Sequence, residues 1–451
     1  MKKIYLSLIL LVIGIQSCFC QTILEGIILQ EYIPANFSVP TSGITVLLKN
    51  TSIGTVTDSE GQFSISVPDS IMDEEIILVI SAIGYTNVEA KIHLTNDIHR
   101  VRIELIDNEV KVEVEKLVGS ALLDTKGIST VYFATDRNFV KTEDPWEMFG
   151  VNRSPNLSYG YCRVSIPIDH RMGELESPNI WKLELNFDPN KHIVLLETKV
   201  NKKSDYFKML RDSIEKSTEK KAFIFIHGYN VSFADAARRT AQMSYDLGFT
   251  GVPVFYSWPS KASTLKYTVD EATIEWTQLH LKSFLIDFLS QTNVQNIYVI
   301  AHSMGNRAMT RAIASLINEK PQLAKKIKEI ILAAPDIDAD VFKQEIVPSL
   351  TKGKHPITLY ASSDDLALKA SKAVHGAPRA GDSGNKLLVV KGVESIDATG
   401  MDTGFLQHSY IGDSRTVISD VYSLFKGLRP NERNLLRIKK TSNLFYWKFR
   451  L

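Results

Sequence analysis

The run Ile297-Tyr298-Val299-Ile300-Ala301-His302-Ser303-Met304-Gly305-Asn306 decides the fold of this chain. Its first four residues are apolar without a break and read as a strand buried on both faces. They lead into a turn of the pattern small-x-Ser-x-small, and residues 307–317 behind it carry helical periodicity. A strand, a sharp turn and a helix in that order lift the serine hydroxyl above the edge of a sheet, on a backbone too tight for bulky flanks. Ala301 stands where the strictest form of the pattern has glycine, and a methyl group is the least obstructive replacement. The helix opening at Met304 points backbone N–H groups and its positive dipole end at charge developing beside Ser303. Ser303 is therefore the candidate nucleophile.

A serine nucleophile needs donors for the oxyanion it creates. Phe223-Ile224-Phe225-Ile226 is a second buried strand, ending in His227-Gly228-Tyr229-Asn230. Gly228 lets the main chain turn in closely, so the expected oxyanion hole is the amide of Tyr229 with that of Met304 opposite. His227 itself is read as a strand-end residue that only packs. The acid and then the base should follow in chain order. Ile357-Thr358-Leu359-Tyr360 is a strand that runs on to Asp364 and Asp365, either of which can orient a histidine. Asp336 is a rival, one strand earlier. Among later histidines, His375 falls in a Gly- and Pro-rich loop before the expected last strand at 387–390. His408 follows that strand and is the preferred base.

Apolar strands at 222–226, 252–256, 297–300, 330–332 and 357–360 alternate with helical segments at 234–247, 274–289 and 307–317. This alternation predicts an α/β fold with a doubly wound, mostly parallel sheet. Residues 22–106 read differently, as short alternating strands broken by turns such as Asp58-Ser59-Glu60-Gly61, with no helical period. They predict a separate, small all-β sandwich. The expected division is a leader at 1–20, the sandwich at 21–108, a linker at 109–128 and the α/β domain at 129–430. A basic, aromatic tail at 431–451 is expected to pack on the α/β body in preference to lying on a membrane surface.

Lys and Arg total 52 against 51 for Asp and Glu, a formal net charge of +1. That balance provides no pull toward nucleic acid, which is excluded as a partner. Lys2 and Lys3 precede an apolar run at 4–15 that is too short to span a bilayer, and small residues follow. This is the layout of a secretory leader, so export is expected to the periplasm, the cell surface or beyond. Two processing routes are open: a cut before Gln21, or a lipoprotein cut that leaves Cys18 as a lipidated N-terminus and membrane tether. Cys162 lies in an alternating strand-like run and reads as a structural, half-buried residue rather than a reactive thiol. His170 and Glu174 sit in a loop-like stretch without the helical context of a zinc motif. No metal or organic cofactor is expected.

Two resemblances sharpen this reading. Gly43-Ile44-Thr45-Val46, the run from Gly54 through Gly61 to Phe63, and Ile83-Gly84-Tyr85 resemble the carboxypeptidase-regulatory-like domain of exported bacterial proteins. That likeness implies a structural or docking module and brings no peptidase chemistry; its protein partner is left open. Residues 129–430 resemble the DUF900 group of α/β hydrolases, esterase/lipase-like proteins of unknown function. The resembling pieces are Val131-Tyr132-Phe133-Ala134-Thr135-Asp136-Arg137, His227 to Phe233, Ser257-Trp258-Pro259-Ser260, Ala301 to Gly305, Asp365-Leu366-Ala367-Leu368, and Asp397 with His408. The resemblance implies an α/β-hydrolase fold, Asp365 rather than Asp364 as the acid, and His408 as the base. The expected activity is a carboxylesterase acting through a Ser303–His408–Asp365 triad on a small or lipid-like acyl ester. An amidase or thioesterase on the same triad, and a catalytically silent binding protein, are the alternatives.

Overall fold

The computed structural model describes residues 21–32, 37–40, 45–51, 53–57, 62–68, 75–81, 88–93, 98–106, 109–116, 127–167, 170–178, 187–217, 219–263, 266–362, 376–401, 415–441 and 443–450. The chain divides into two compact units, Met1–Leu123 and Asp124–Leu451. The leader assigned to 1–20 lies outside the described residues.

The first unit is all-β. One sheet joins β1 (Gln21–Tyr32), β2 (Phe37–Pro40), β5 (Gln62–Pro68), β8 (Ile98–Ile106) and β9 (Glu109–Lys116). The other runs in the order β4 (Gly54–Val56), β3 (Thr45–Leu48), β6 (Glu75–Ser81) and β7 (Val88–His93). Alternation decides which side chains meet: Leu24, Phe63, Ile65 and Val67 of the first sheet form one core with Val46, Leu48, Leu78, Ile80 and Ile92 of the second. The first half of the region expected as a linker is strand. Val110, Val112 and Val114 pair with Leu105, Ile103 and Val101 of β8, because their period of two matches the pleat.

The second unit carries one sheet in the order β12 (Val194–Asn201), β11 (Phe149–Ile166), β10 (Gly127–Phe139), β14 (Val252–Ser257), β13 (Lys221–Ile226), β15 (Asn296–His302), β16 (Ile327–Ala333), β17 (Ile357–Ala361), β18 (Glu394–Asp397), β20 (Phe445–Phe449) and β19 (Leu435–Lys439). From β10 to β20 the pairs are parallel, and antiparallel strands close the edges. The fold is an α/β hydrolase sheet covered on both faces. Ala222, Ile224 and Ile226 face a core shared with α1 (Lys203–Lys216), α3 (Tyr267–Gln291) and α4 (Gly305–Glu319). Phe223 and Phe225 face the other core, with α2 (Phe233–Asp246) and the helix Arg415–Phe425.

One expectation needs correction here. Residues 387–390 are not a strand; the strand beside β17 is Glu394–Asp397, and β20 beyond it ends the parallel run. Leu387 is buried, but Ser395 Oγ donates to the Leu388 carbonyl and a positive-φ turn at Gly392 separates the segment from β18. The basic, aromatic tail joins the sheet of the body: β19 and β20 form a hairpin, and Trp447 and Lys448 pair with Ile396 and Asp397. Cys162 is fully buried in β11, its thiol near Thr198 Oγ1, and burial pushes that thiol well above its ordinary pKa.

His170 has a structural role. Its Nδ1 lies 2.9 Å from Glu176 Oε1 and its Nε2 2.7 Å from Asp246 Oδ1 on α2. Burial alone lowers the imidazole pKa, but the hydrogen bonds to the two carboxylates override it and raise the value to about 9. The raised folded value means that His170 contributes its full stability below about pH 6.5 and loses it as pH rises through about 9. Chemical denaturation of the full chain should therefore show a loss of about 2 kcal/mol between pH 7 and pH 9.5. His170→Gln should start less stable and show a flatter slope over that window; an unchanged slope would refute the assignment.

Candidate active site

The site forms where the winding direction of the sheet reverses. β13 has β14 on one side and β15 on the other, so the connections after β13 and β15 diverge and leave a crevice at their carboxyl ends. Ser303 follows β15 directly, and Gly228 and Tyr229 follow β13.

Ser303 has φ of +49°, in the left-handed region that costs an ordinary residue about 1–3 kcal/mol. Its neighbours hold it there. The Ser303 N–H donates to the Ala333 carbonyl at 2.9 Å, its carbonyl accepts from the Asn306 and Asp336 amides, and Asn306 Nδ2 clasps both carbonyls. Asn230 after β13 and Ala334 after β16 also have positive φ, at +57° and +43°. Three strained turns thus lie along one sheet edge, where strain of this kind collects at functional sites.

Glycine is required on both sides of the crevice. A Cβ on Gly228 would lie 2.9 Å from His302 Nδ1 and 3.1 Å from the Ser303 Cβ. A Cβ on Gly305 would lie 2.4 Å from the His227 carbonyl oxygen. Tyr229 therefore sits beside the candidate nucleophile, and its ring meets that of Tyr267 edge-on. Met304 is fully buried at the start of α4, a helix of 15 residues whose first amides face the Ser303 turn. Ser303, Tyr229 and Met304 are thus brought together.

The turn after β13 is held from behind by a buried ionic network. Arg137, at the end of β10, is fully enclosed. Its Nε donates to Ser257 Oγ at 2.8 Å, its Nη1 to the carbonyls of Gly150 and Ser260, and its Nη2 to the Val231 carbonyl and toward His227 Nε2 at 3.4 Å. Asp270 accepts from Ser260 Oγ at 2.7 Å and from the Lys261 amide. Desolvation lowers the Arg137 pKa to about 10, which still leaves it cationic at neutral pH. His227 stacks on Trp258, with ring centroids 5.3 Å apart, and Trp258 Nε1 donates to its carbonyl. Burial and then the charge of Arg137 drive the His227 pKa well below its ordinary value, so the ring is neutral. The pieces singled out in sequence around Arg137, His227 and Ser257 to Ser260 are one network, but nothing in their order marked Arg137 as its hub. The available signal was a cation closing an apolar strand.

Asp365, Asp364, His375 and His408 lie outside the described residues. The strands leading to Asp365 and His408 are described: β17 stops at Ala361, paired with Asp397 of β18, and the Ala398 amide donates to the Ala361 carbonyl. The rival Asp336 is buried, but its carboxylate is occupied. Tyr267 donates to it, Arg307 Nη2 lies at 3.3 Å and Arg379 Nε at 3.2 Å. No cluster of metal-binding side chains occurs among the described residues, and no helix among them is long and apolar enough to cross a membrane.

Residues 202–424 match the family described as "Alpha/beta hydrolase of unknown function (DUF900)". This region is a DUF900 α/β hydrolase. Residues 35–117 match the CarboxypepD_reg-like domain. A Mycoplasma genitalium protein named as an esterase/lipase is 30% identical over 119 residues, 26% of this chain and 38% of that protein. The match thus spans well under half of that relative. Among solved structures, the hyperthermophilic esterase from the archaeon Pyrobaculum calidifontis is 10% identical and covers 67% of this chain and 85% of its own, at a TM-score of 0.28. A Pyrococcus horikoshii acylaminoacyl peptidase is 11% identical, with 83% and 73% covered and a TM-score of 0.29.

The ion cluster at Asp336 yields a test that separates it from a triad acid. Asp336→Asn should destabilise the hydrolase by about 3 kcal/mol, because it removes the buried carboxylate that lies between the Arg307 and Arg379 guanidinium groups. Thermal or urea unfolding reads this directly. A fall in turnover of about 10³ with stability intact would instead make Asp336 the catalytic acid.

Proposed function

We propose that the hydrolase unit is a serine esterase that cleaves carboxylic esters through an acyl-enzyme on Ser303. The observation that carries this reading is the strained, left-handed Ser303 at the head of β15 and α4, with Gly228 pressed against it across the crevice. Strain at a strand-to-helix turn presents a hydroxyl for attack, and amides converging from two turns stabilise the charge that follows. In this reading Asp365 holds His408 in one tautomer, and His408 takes the Ser303 proton as the oxygen attacks the ester carbonyl. The amides of Tyr229 and Met304 receive the oxyanion. His408 then delivers its proton to the departing alcohol and later activates water to release the acid.

Sheet geometry supports the acid and base. Asp365 lies four residues beyond Ala361, a reach of up to about 14 Å when extended. The two strand spacings from β17 to β15 are about 10 Å. His408 follows β18, the next strand outward. The name of the Mycoplasma relative agrees with an ester substrate.

A fluorophosphonate should label the full-length protein at Ser303, and Ser303→Ala should fold, escape labelling and lose p-nitrophenyl acetate hydrolysis. Retention of more than about a hundredth of wild-type turnover would remove Ser303 from the role. Asp365→Asn should lower turnover by about 10³–10⁴ through the wrong imidazole tautomer, with Asp364→Asn nearly silent. The reverse would move the acid one residue upstream.

Export through residues 1–20 belongs to the same proposal. Lys2-Lys3 and the apolar run at 4–15 support it, and Cys18 supplies a lipidation point. Fractionation of cells expressing the full chain should find it outside the cytoplasm. Labelling with a fatty-acid analogue that disappears in Cys18→Ser would choose the lipoprotein route.

A further inference from the structure

Arg137 reaches the candidate site from the far side of the turn after β13. Two register irregularities in β10, between Thr135 and Arg137 and between Arg137 and Phe139, release this strand end from regular pairing with β11. Bulges of this kind re-aim side chains beside active sites. Here the guanidinium is delivered among the carbonyls of Gly150, Val231 and Ser260, the Ser257 hydroxyl and the His227 ring.

An arginine only donates hydrogen bonds. His227 Nε2, facing Arg137 Nη2 at 3.4 Å and Ser257 Oγ at 3.1 Å, must then accept. Ser257 Oγ, which already accepts from Arg137 Nε, is left to donate to that nitrogen. The single imidazole proton consequently sits on Nδ1, which lies 2.7 Å from the Gly228 carbonyl oxygen and donates to it. That carbonyl belongs to the same rigid peptide unit as the Tyr229 N–H, and in a trans peptide the two point in opposite directions. Anchoring the oxygen therefore sets the direction of the N–H.

We infer that Arg137 is a positioning residue for the oxyanion hole, selecting the His227 tautomer whose Nδ1–H locks the Gly228–Tyr229 peptide and aims the Tyr229 amide. His227 thus does more than pack. The inference rests on the esterase reading, since an aimed amide matters only if charge develops at Ser303. Depressed basicity of His227 agrees with it, because a protonated ring would lose its acceptor opposite the cation.

The test uses side chains that keep one half of the imidazole. Asn at 227 places an amide nitrogen where Nδ1 was and can still donate to the Gly228 carbonyl. Gln places its amide where Nε2 was and can face only Arg137. In the full-length protein, with p-nitrophenyl acetate, His227→Asn should keep kcat within about tenfold, and His227→Gln should lose about 10²-fold or more, the scale of an oxyanion donor. Arg137→Lys, with three donors and no planar fork, should lower kcat by more than tenfold with KM within about threefold. A trifluoromethyl ketone, which binds as a tetrahedral oxyanion, should lose affinity in parallel. Because Arg137 acts through His227, the double variant Arg137→Lys/His227→Asn should be no slower than His227→Asn alone.

Multiplying penalties in the double variant, or an Arg137→Lys kcat within tenfold of wild type, would overturn the inference. If Arg137→Lys shows no cooperative melting transition, the 227 pair decides: equal loss in the Asn and Gln variants overturns it. A wild-type protein that neither reacts with fluorophosphonate nor cleaves the ester would instead defeat the esterase reading itself.

Discussion

The fit of two turns against each other is the constraint on which the rest of the site depends. The turns after β13 and β15 flank the switch point, and their backbones approach until no side-chain carbon can stand between them. Gly305 would put a Cβ 2.4 Å from the His227 carbonyl oxygen, and Gly228 would press one against His302 and Ser303. That approach makes Ser303 adopt a left-handed φ, with the Ala333 carbonyl and the Asn306 side chain holding it in place. Strain here is paid for by packing on both sheet faces, where the strands β13, β15 and β16 are almost wholly enclosed.

Enclosure has a second consequence, in the treatment of charge. A cation as deep as Arg137 survives only because each of its N–H groups meets an acceptor, and Asp136 and Asp270 offset the desolvation. Asp336 is handled in the same way by Arg307, Arg379 and Tyr267. One buried network braces the turn after β13, and the other lies behind the turn after β16. Charge thus serves to hold the main chain still around Ser303.

The first unit stands apart from this chemistry. Its two sheets enclose a core of aliphatic residues with Phe63, and the described part of that core contains no ionisable side chain. Neither Ser303 nor any group of the Arg137 network belongs to it. It carries the match to the CarboxypepD_reg-like domain.

Local pattern was enough for the elements that repeat. Mostly apolar runs announced β13 to β17, because a strand buried on both faces favours apolar side chains, and small residues around Ser303 announced the elbow. Period-two alternation likewise marked the sandwich strands. The end of the sheet was less legible: 387–390 is apolar enough for a strand but is turned away at Gly392, and β18 carries Glu394 and Ser395 at its start. The strand in 109–116 showed itself only in the alternation of Val110, Val112 and Val114, with charged residues between them that also suit a linker.

The sequence by itself determined the alternation of strands and helices from β13 to β17, the candidate nucleophile and the two turns that flank it. Each depends on neighbours in the chain, so local chemistry suffices. Only the tertiary structure decided that Asp336 is consumed by two arginines, that His170 is clamped between carboxylates, and that Arg137 lies behind His227. Those outcomes depend on which distant groups share a space sealed from water, where a charge must find partners or not be there at all.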